Sequence, residues 1–339
     1  MSLQTQTLQS LEQFPLIGIS TTTYNGTADA AVAGISDTDD QTPLSPNNQF
    51  LVYSITKTFI ATLILLQCEQ GKLSLVSLLK DWYPEIPGAD KITIQQLLNH
   101  TSGLPDYGAL PEYHHDVKQD PLEPWPETKF LEKTLEQNML FDPGSGWSYS
   151  NIGYMLLVNI VEDLEGKSFK EMVGQRIFEP FTLAHSFVPT APADLHSLTP
   201  GYSKYLAPDD LSLVDVRFNY HPGWVSHRTI ASTPSDISKF LYNLLQGKIV
   251  NQDSLNQMTA ATPVHHQHPR FKDPSYGLGL MIDPDGEYGS LYGHGGEGPG
   301  YSASAFYRRG TAPVTVSAFC NTEDNSAVEQ TVCNILSTN

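Results

Sequence analysis

Hydrophobic positions along the chain change rhythm three times. Near the start, Leu16 to Thr23 and Ala30 to Ile35 read as β-strands. They are separated by Asn25-Gly26, a dipeptide suited to the tight turn of an antiparallel hairpin. A short polar helix over residues 4–13 precedes them, and the Asp-, Pro- and Asn-rich segment Ser36 to Asn48 is a loop that delivers the chain to Phe50. From Thr58 to Leu66 the alternation disappears: the run is apolar on every side, which predicts a helix buried all round, with Gly71 as its stop. A helix-rich middle follows. Leu73 to Trp82 continues helical, and Ile92 to Leu98 is another helix. Residues 106–126 are irregular, Thr128 to Asn138 is amphipathic, and Ile152 to Leu164 is a second strongly apolar helix ending at Glu165-Gly166. Phe169 to Ile177 is helical, and Ala191 to Trp224 is loop-rich. Thr233 caps a helix with Pro234 at its first position, carried by Ile237 to Leu245. The β rhythm then returns at Tyr276 to Ile282, Tyr301 to Arg308 and Pro313 to Phe319, with Gly286 and Gly310 in the turns between, before a closing helix from Ala327 to Leu336.

Strands at both ends and helices between them predict an α/β fold of the α+β kind. One antiparallel sheet, flanked by helices, is built from both ends of the chain and carries a large helical insertion. On this reading residues 1–58 and 236–339 form the sheet region and residues 59–235 a mostly helical region, with a groove between them. The chain has 339 residues, enough for a sizeable core. Its net charge of -18 repels nucleic acid and anionic lipid, which removes both as expected partners and leaves a small molecule or short peptide. The longest apolar run, Phe59 to Leu66, is too short to span a membrane. Cys68, Cys320 and Cys333 form no C-x-x-C and, being odd in number, no disulfide framework. The first residues lack the basic and apolar regions of a signal peptide. A leader already removed implies a periplasmic or secreted protein, and otherwise the cytoplasm is expected. Oligomeric state has no sequence signal.

Candidate chemistry gathers at the start of the first apolar helix. Ser54 and Lys57 make an S-x-x-K element, in which three-residue spacing puts ammonium and hydroxyl on one helix face. Burial lowers a lysine's pKa, so Lys57 can take the proton that makes Ser54 a nucleophile. By itself the pair also fits a helix cap beside a snorkelling lysine. Two further motifs follow: Tyr149-Ser150-Asn151 before the second apolar helix, and Gly293-His294-Gly295-Gly296 before the strand at Tyr301.

With these three elements in this order, the chain resembles the serine β-lactamase and penicillin-binding protein superfamily, whose signature pairs S-x-x-K with an S-D-N-type and a K-T-G-type element. The tyrosine in the second element resembles the class C β-lactamase branch, which includes D-Ala-D-Ala carboxypeptidases, D-aminopeptidases and esterases. Leu97 to Leu104, Thr229 to Asp236 and Tyr276 to Gly279 also look like family landmarks. The resemblance implies a β-lactamase/transpeptidase-like fold and an acyl-enzyme on Ser54. Lys57 or Tyr149 is the base; the phenol qualifies only if nearby cations lower its usual pKa of about 10. Asn151 orients Lys57 and the substrate amide. His294 stands where many relatives carry lysine and is expected to donate to a substrate carboxylate or to Tyr149, with a charge that depends on pH. Gly295 and Gly296 are expected to let the substrate approach the strand. The oxyanion hole, by analogy, uses the backbone N–H of Ser54 and of Glu297. Glu297 departs from the small or hydroxyl residue usual there and is expected to repel acidic substrates.

The expected activity is hydrolysis of a D-amino-acid peptide, ester or β-lactam, with a carboxypeptidase- or esterase-like enzyme favoured by His294. The alternative is a scaffold or binding protein without turnover. Neither metal nor organic cofactor is implied. No G-x-S-x-G is present, and Gly166-Lys167-Ser168 lacks the first glycine of a P-loop because Val161 occupies that place. His114-His115-Asp116 and His265-His266-Gln267-His268 sit in polar loops without metal-site spacing.

Overall fold

The computed structural model describes residues 1–208, 212–265 and 267–338. Eight strands form one sheet, in chain order β1 (Gly18–Tyr24), β2 (Ala28–Gly34), β3 (Thr262–Pro263), β4 (Ser275–Tyr276), β5 (Met281–Gly286), β6 (Gly289–Gly298), β7 (Tyr301–Arg308) and β8 (Val314–Cys320). Their spatial order is β2-β1-β8-β7-β6-β5-β4-β3, with every neighbouring pair antiparallel. First and last strands therefore meet inside the sheet: Ile19 lies opposite Cys320 and Tyr24 opposite Thr315.

Two helices cover one face, α1 (Leu3–Gln13) and, at the chain's far end, a helix over Asn325–Leu336. They pack with Ile19, Val316, Ala318, Cys320 and Phe306 in a small apolar core. The other face meets the helix Pro234–Leu245, capped by the Thr233 side chain, which accepts from Asp236 N–H. That contact is partly polar. Ser238 hydrogen-bonds Ser317 at 2.7 Å and Thr22 bonds Ser235 at 3.0 Å, so these two strand hydroxyls are matched by serines of the helix.

Beyond this layer lies the larger core. Its centre is α2 (Thr56–Glu69), whose residues from Thr56 to Leu65 are all buried. Ring stacking between Phe59 and Phe240 joins it to the sheet-side helix. It also packs against α3 (Asn151–Glu165), which begins at a Ser150 cap and ends at Gly166 in the left-handed conformation. Numbering the remaining long helices in chain order, α4 is Pro234–Leu245 and α5 is Asn325–Leu336. Among the described residues no helix is long and apolar enough to cross a membrane.

The architecture is the expected one, an antiparallel sheet flanked by helices. Three local expectations need correction. Leu73 to Trp82 is not a helix; apart from a single turn at Leu79–Asp81 it is irregular, with Ser74 and Ser77 side chains holding local backbone N–H groups that a helix would need. Within 106–126, Pro111–Gln119 is helical, led by proline at its first position. The strand expected over Tyr276 to Ile282 is broken at Gly277-Leu278-Gly279, where Gly279 has φ 69° and lies against the backbone of Lys57.

Candidate active site

The turn that carries Ser54 is built before the buried helix starts. Phe50–Leu51 pairs with Ala231–Ser232, and Val52 N–H donates to Ile230 O at 2.9 Å. Tyr53 then takes φ 43°, a left-handed conformation that costs a non-glycine residue roughly 1 kcal/mol or more. Its ring is held in compensation: the hydroxyl donates to Pro299 O, and Gly298 lies close enough that a Cβ there would strike the ring at 2.5 Å. Ser54 follows in a short 3-10 turn, Tyr53–Ile55, leading into α2, and remains partly accessible.

Strand β6 clasps this turn from the opposite side. A Cβ on Gly296 would stand 2.1 Å from Val52 O and 3.0 Å from Ser54 N. The glycine is thus required by the protein's own turn. Gly295 faces the other way, toward Asn325 and Glu329. The expectation that both glycines admit the substrate is corrected accordingly.

Lys57 lies one turn beyond Ser54 and is 0% exposed. Its Nζ is 3.0 Å from Ser54 Oγ, 2.8 Å from Asn151 Oδ1 and 3.0 Å from His227 Nε2. Burial holds its pKa well below the ordinary ammonium range, against the opposing pull of Asp106. Asn151, the first residue of α3, is held by Asp106 through two bonds: backbone N–H at 2.9 Å and Nδ2 at 3.1 Å. The preceding Ser150 is fixed from the same loop, its N–H donating to His100 Nδ1 and its hydroxyl to Pro105 O. The second motif therefore arrives at Lys57 on a rigid mount.

The Tyr149 ring lies over His100, with centroids 4.3 Å apart, and 4.8 Å from Lys57 Nζ. The ring keeps partial exposure, while its hydroxyl is enclosed beside Ser54. Burial pushes the phenol's pKa up, only partly offset by the Ser54 hydrogen bond. The cation-lowered phenol required for a Tyr149 base is absent from this arrangement.

His294 differs most from expectation. It is 3% exposed, with Nδ1 2.5 Å from Gly295 O and Nε2 2.8 Å from the Tyr276 hydroxyl. A carbonyl only accepts, so Nδ1 carries the proton and Nε2 accepts from Tyr276. Burial first, and Lys57 second, push its pKa down to about 3. Both ring nitrogens are committed within the protein, and the ring is neutral across the neutral pH range. The expected donation to a substrate carboxylate, and the charge switch between pH 5 and 8, do not follow.

Glu297 borders the same small cavity as Ser54, about 130 Å³, with Tyr107, Asn151, Tyr220, Trp224 and His227 also in its lining. A larger adjoining cavity of about 400 Å³ is lined by Tyr113, Tyr205, Tyr220, Glu297 and Glu323. Glu323 accepts from Ser203 Oγ, from Lys204 and Tyr205 N–H and from Gly300 N–H. Partial burial and the neighbouring carboxylates of Glu323, Asp324 and Glu329 raise the Glu297 pKa, against a hydrogen bond from Asn325 N–H.

Sequence reading missed His227 and Asp106, and named Tyr276 only within a landmark, with no role at the site. Asp106 follows the landmark ending at Leu104, and His227 precedes the one starting at Thr229, so motif limits drawn two residues wider would have reached both. Among the described residues no group of three or more His, Cys, Asp or Glu is arranged to hold a metal. His114 is engaged with Tyr205 and Gly108, and Asp116 with Lys129 and Trp125. His266 lies outside the described residues.

A model of the Beta-lactamase family matches residues 17–332. Penicillin-binding protein 4* of Bacillus subtilis (strain 168) is 29% identical over 334 residues, spanning 91% of this chain and 70% of that protein. Among solved structures, a D-stereospecific amidohydrolase from Streptomyces superposes with a TM-score of 0.83 at 26% identity, over 97% of each chain. The D-amino acid amidase of Ochrobactrum anthropi SV3, solved with L-phenylalanine amide, shares the fold with a TM-score of 0.85 at 24% identity, over 99% of this chain and 97% of that one.

Proposed function

The chain belongs to the Beta-lactamase family of serine hydrolases, and from that premise we propose that Ser54 forms an acyl-enzyme with amides of D-amino acids whose α-amino group is free. Lys57 is the base. Its depressed pKa leaves a lone pair to accept the Ser54 proton, whereas the raised phenol of Tyr149 favours proton donation. Ser54 Oγ attacks the amide carbonyl as its proton passes to Lys57 Nζ. The backbone N–H groups of Ser54 and Glu297 receive the oxyanion. As the adduct collapses the C–N bond breaks, the departing nitrogen takes a proton from Tyr149, and the Lys57 ammonium returns the Ser54 proton to Tyr149, so that Lys57 is again a free amine and Tyr149 a phenol. Water then repeats the sequence on the ester.

The observation that carries the substrate class is the lining of the groove. Glu297 and Glu323 stand among tyrosines, and no lysine or arginine appears among the described residues lining either cavity. Such a wall suits an ammonium group, through charge and through aromatic faces, better than a carboxylate. This departs from the carboxypeptidase- or esterase-like enzyme that His294 favoured. The names of two structural relatives, a D-stereospecific amidohydrolase and a D-amino acid amidase, support the same direction.

A side-by-side turnover assay tests the reading. D-phenylalanine amide, its N-acetyl derivative, an N-acylated D-Ala-D-Ala peptide, a nitrophenyl ester and a chromogenic cephalosporin are compared at one pH. The free amine amide should give the highest kcat/KM, with N-acetylation lowering it by about 10- to 100-fold. Preference for the N-acylated D-Ala-D-Ala peptide would overturn it.

A further inference from the structure

His227 belongs to none of the three motifs, yet it is as close to Lys57 as Ser54 is. It is 2% exposed and lies on a segment pinned at successive residues. Ser226 is bonded through N–H and hydroxyl to the Tyr107 hydroxyl at 3.3 and 3.0 Å. Arg228 takes φ 69° and turns outward to Glu127 and Glu162 at 2.9 and 3.4 Å. Ile230 N–H donates to Thr56 Oγ1 at 3.0 Å, beside the nucleophile turn. The left-handed step at Arg228 separates a charged residue facing solvent from an imidazole facing Lys57. Turn and imidazole therefore sit on one frame.

The valence of Lys57 then decides what the imidazole does. An ammonium has three N–H donors, and three acceptors stand around Nζ: Ser54 Oγ, Asn151 Oδ1 and His227 Nε2. A neutral amine has two donors and one lone pair. With Asn151 and His227 accepting the two donors, the lone pair is left for the Ser54 hydroxyl. The opposite arrangement, His227 Nε2–H donating to Lys57, would consume the lone pair and disable the base.

We propose that His227 is a positioning residue, held as the neutral tautomer with the proton on Nδ1, whose bare Nε2 accepts a hydrogen bond from Lys57 throughout the reaction. It keeps the lysine lone pair on Ser54 before attack and completes the shell of the ammonium afterwards. When Ser54 Oγ bonds to the acyl carbon, its O–H breaks and the new N–H forms on Lys57. His227 neither gains nor loses a proton. The Nδ1–H finds no hydrogen-bond partner among the described residues, so this tautomer is maintained through the bond at Nε2. Groups facing this pair are His100, His294, Arg228, Asp106 and the rings of Tyr149 and Tyr154. Burial, then Lys57, His294, Arg228 and His100, all disfavour a charged imidazole at His227.

The inference rests on the acyl-serine reading above, and its experiment separates the two. His227→Leu removes the acceptor and His227→Gln restores one. Losing the acceptor weakens the ammonium more than the amine. In His227→Leu the acid limb of the acylation rate should therefore move down by about one pH unit and the plateau kcat should fall about 30-fold, with KM unchanged. His227→Gln should recover to within about five-fold. An unshifted limb and plateau in His227→Leu, or equal losses in both variants, would overturn the assignment while leaving the acyl-serine reading intact. Continued labelling of Ser54→Ala by a phosphonate ester would overturn both. If His227→Leu does not fold, nitrogen-15 spectra of histidine-labelled wild-type protein decide. The imidazole lost in His227→Gln should show a protonated Nδ1 and a bare Nε2 from about pH 5 to 8, and a protonated Nε2 there overturns the inference.

Discussion

Ser54 stands between two regions of unlike character. On one side Lys57, His227, His294 and His100 are exposed by 0, 2, 3 and 1%, with Asp106 behind Asn151. On the other, Glu297, Glu323 and three tyrosines line an open cavity of about 400 Å³. On the enclosed side burial pushes the pKa values of Lys57, His100, His227 and His294 down, because leaving water penalises every charge. The open side keeps carboxylates at a solvated wall. On the proposed function, ionisable groups do different work according to solvent: proton transfer where water is excluded, discrimination between substrates where it is not. The two histidines at 227 and 294 extend the lesson within the enclosed side. Each is buried where charge is disfavoured, but His294 is bonded into Tyr276 and its own strand, and His227 is bonded to the lysine beside Ser54.

The division can be broken most severely at its enclosed side. Lys57→Met should lower Ser54 acylation about 10⁴-fold, read by intact mass with a phosphonate ester. Retention of more than about a tenth of the wild-type rate would place the proton transfer elsewhere. Next comes the seam between the two regions. Gly296→Ala places a methyl 2.1 Å from Val52 O, so the turn must yield. Loss of about 100-fold in kcat/KM with a native circular dichroism spectrum is expected, and an active alanine variant would contradict the clasp.

A third test concerns stability. The folded-state pKa of His294 is about 3 against an ordinary 6.5. Between those values the unfolded chain binds more protons, so its contribution to stability is present above about 6.5 and is lost as pH falls toward about 3. His294→Gln should therefore show a shallower decline of urea midpoint over that interval than wild type, and parallel declines would refute a neutral buried ring. The smallest effect belongs to the open side. Glu297→Gln should raise KM for free-amine substrates about three- to ten-fold with little change in kcat, and the difference should shrink in high salt. A change in kcat instead of KM would mean that the two regions are not separable.

What was legible in the sequence follows the same physics. The apolar helix behind Ser54 and the order of three motifs announced the fold and brought Lys57, Tyr149, Asn151 and His294 into view. Position alone did not reveal state. His294 reads as a switchable cation because histidine in general is one; only its neighbours, Tyr276 and the Gly295 carbonyl, show that it is not. Gly295 and Gly296 read as room for a substrate, although the room at Gly296 is taken by Val52 and Ser54 of the protein's own turn. His227 was invisible for a simpler reason: its partner is 170 positions away, and no local periodicity encodes a contact of that span.

The sheet's closure gives synthesis of this protein a definite order of events. Ser54 is made early, but Gly296 and the Pro299 carbonyl that hold its turn come near the end, and β8 must enter beside β1 before the sheet is complete. While the ribosome is still adding the last strands, the serine lacks its clasp and the lysine its dry enclosure. On the proposed function, a nascent chain ending before β6 therefore carries Ser54 and Lys57 without an acylating centre, and reactivity toward amides waits until the final strands have joined the first.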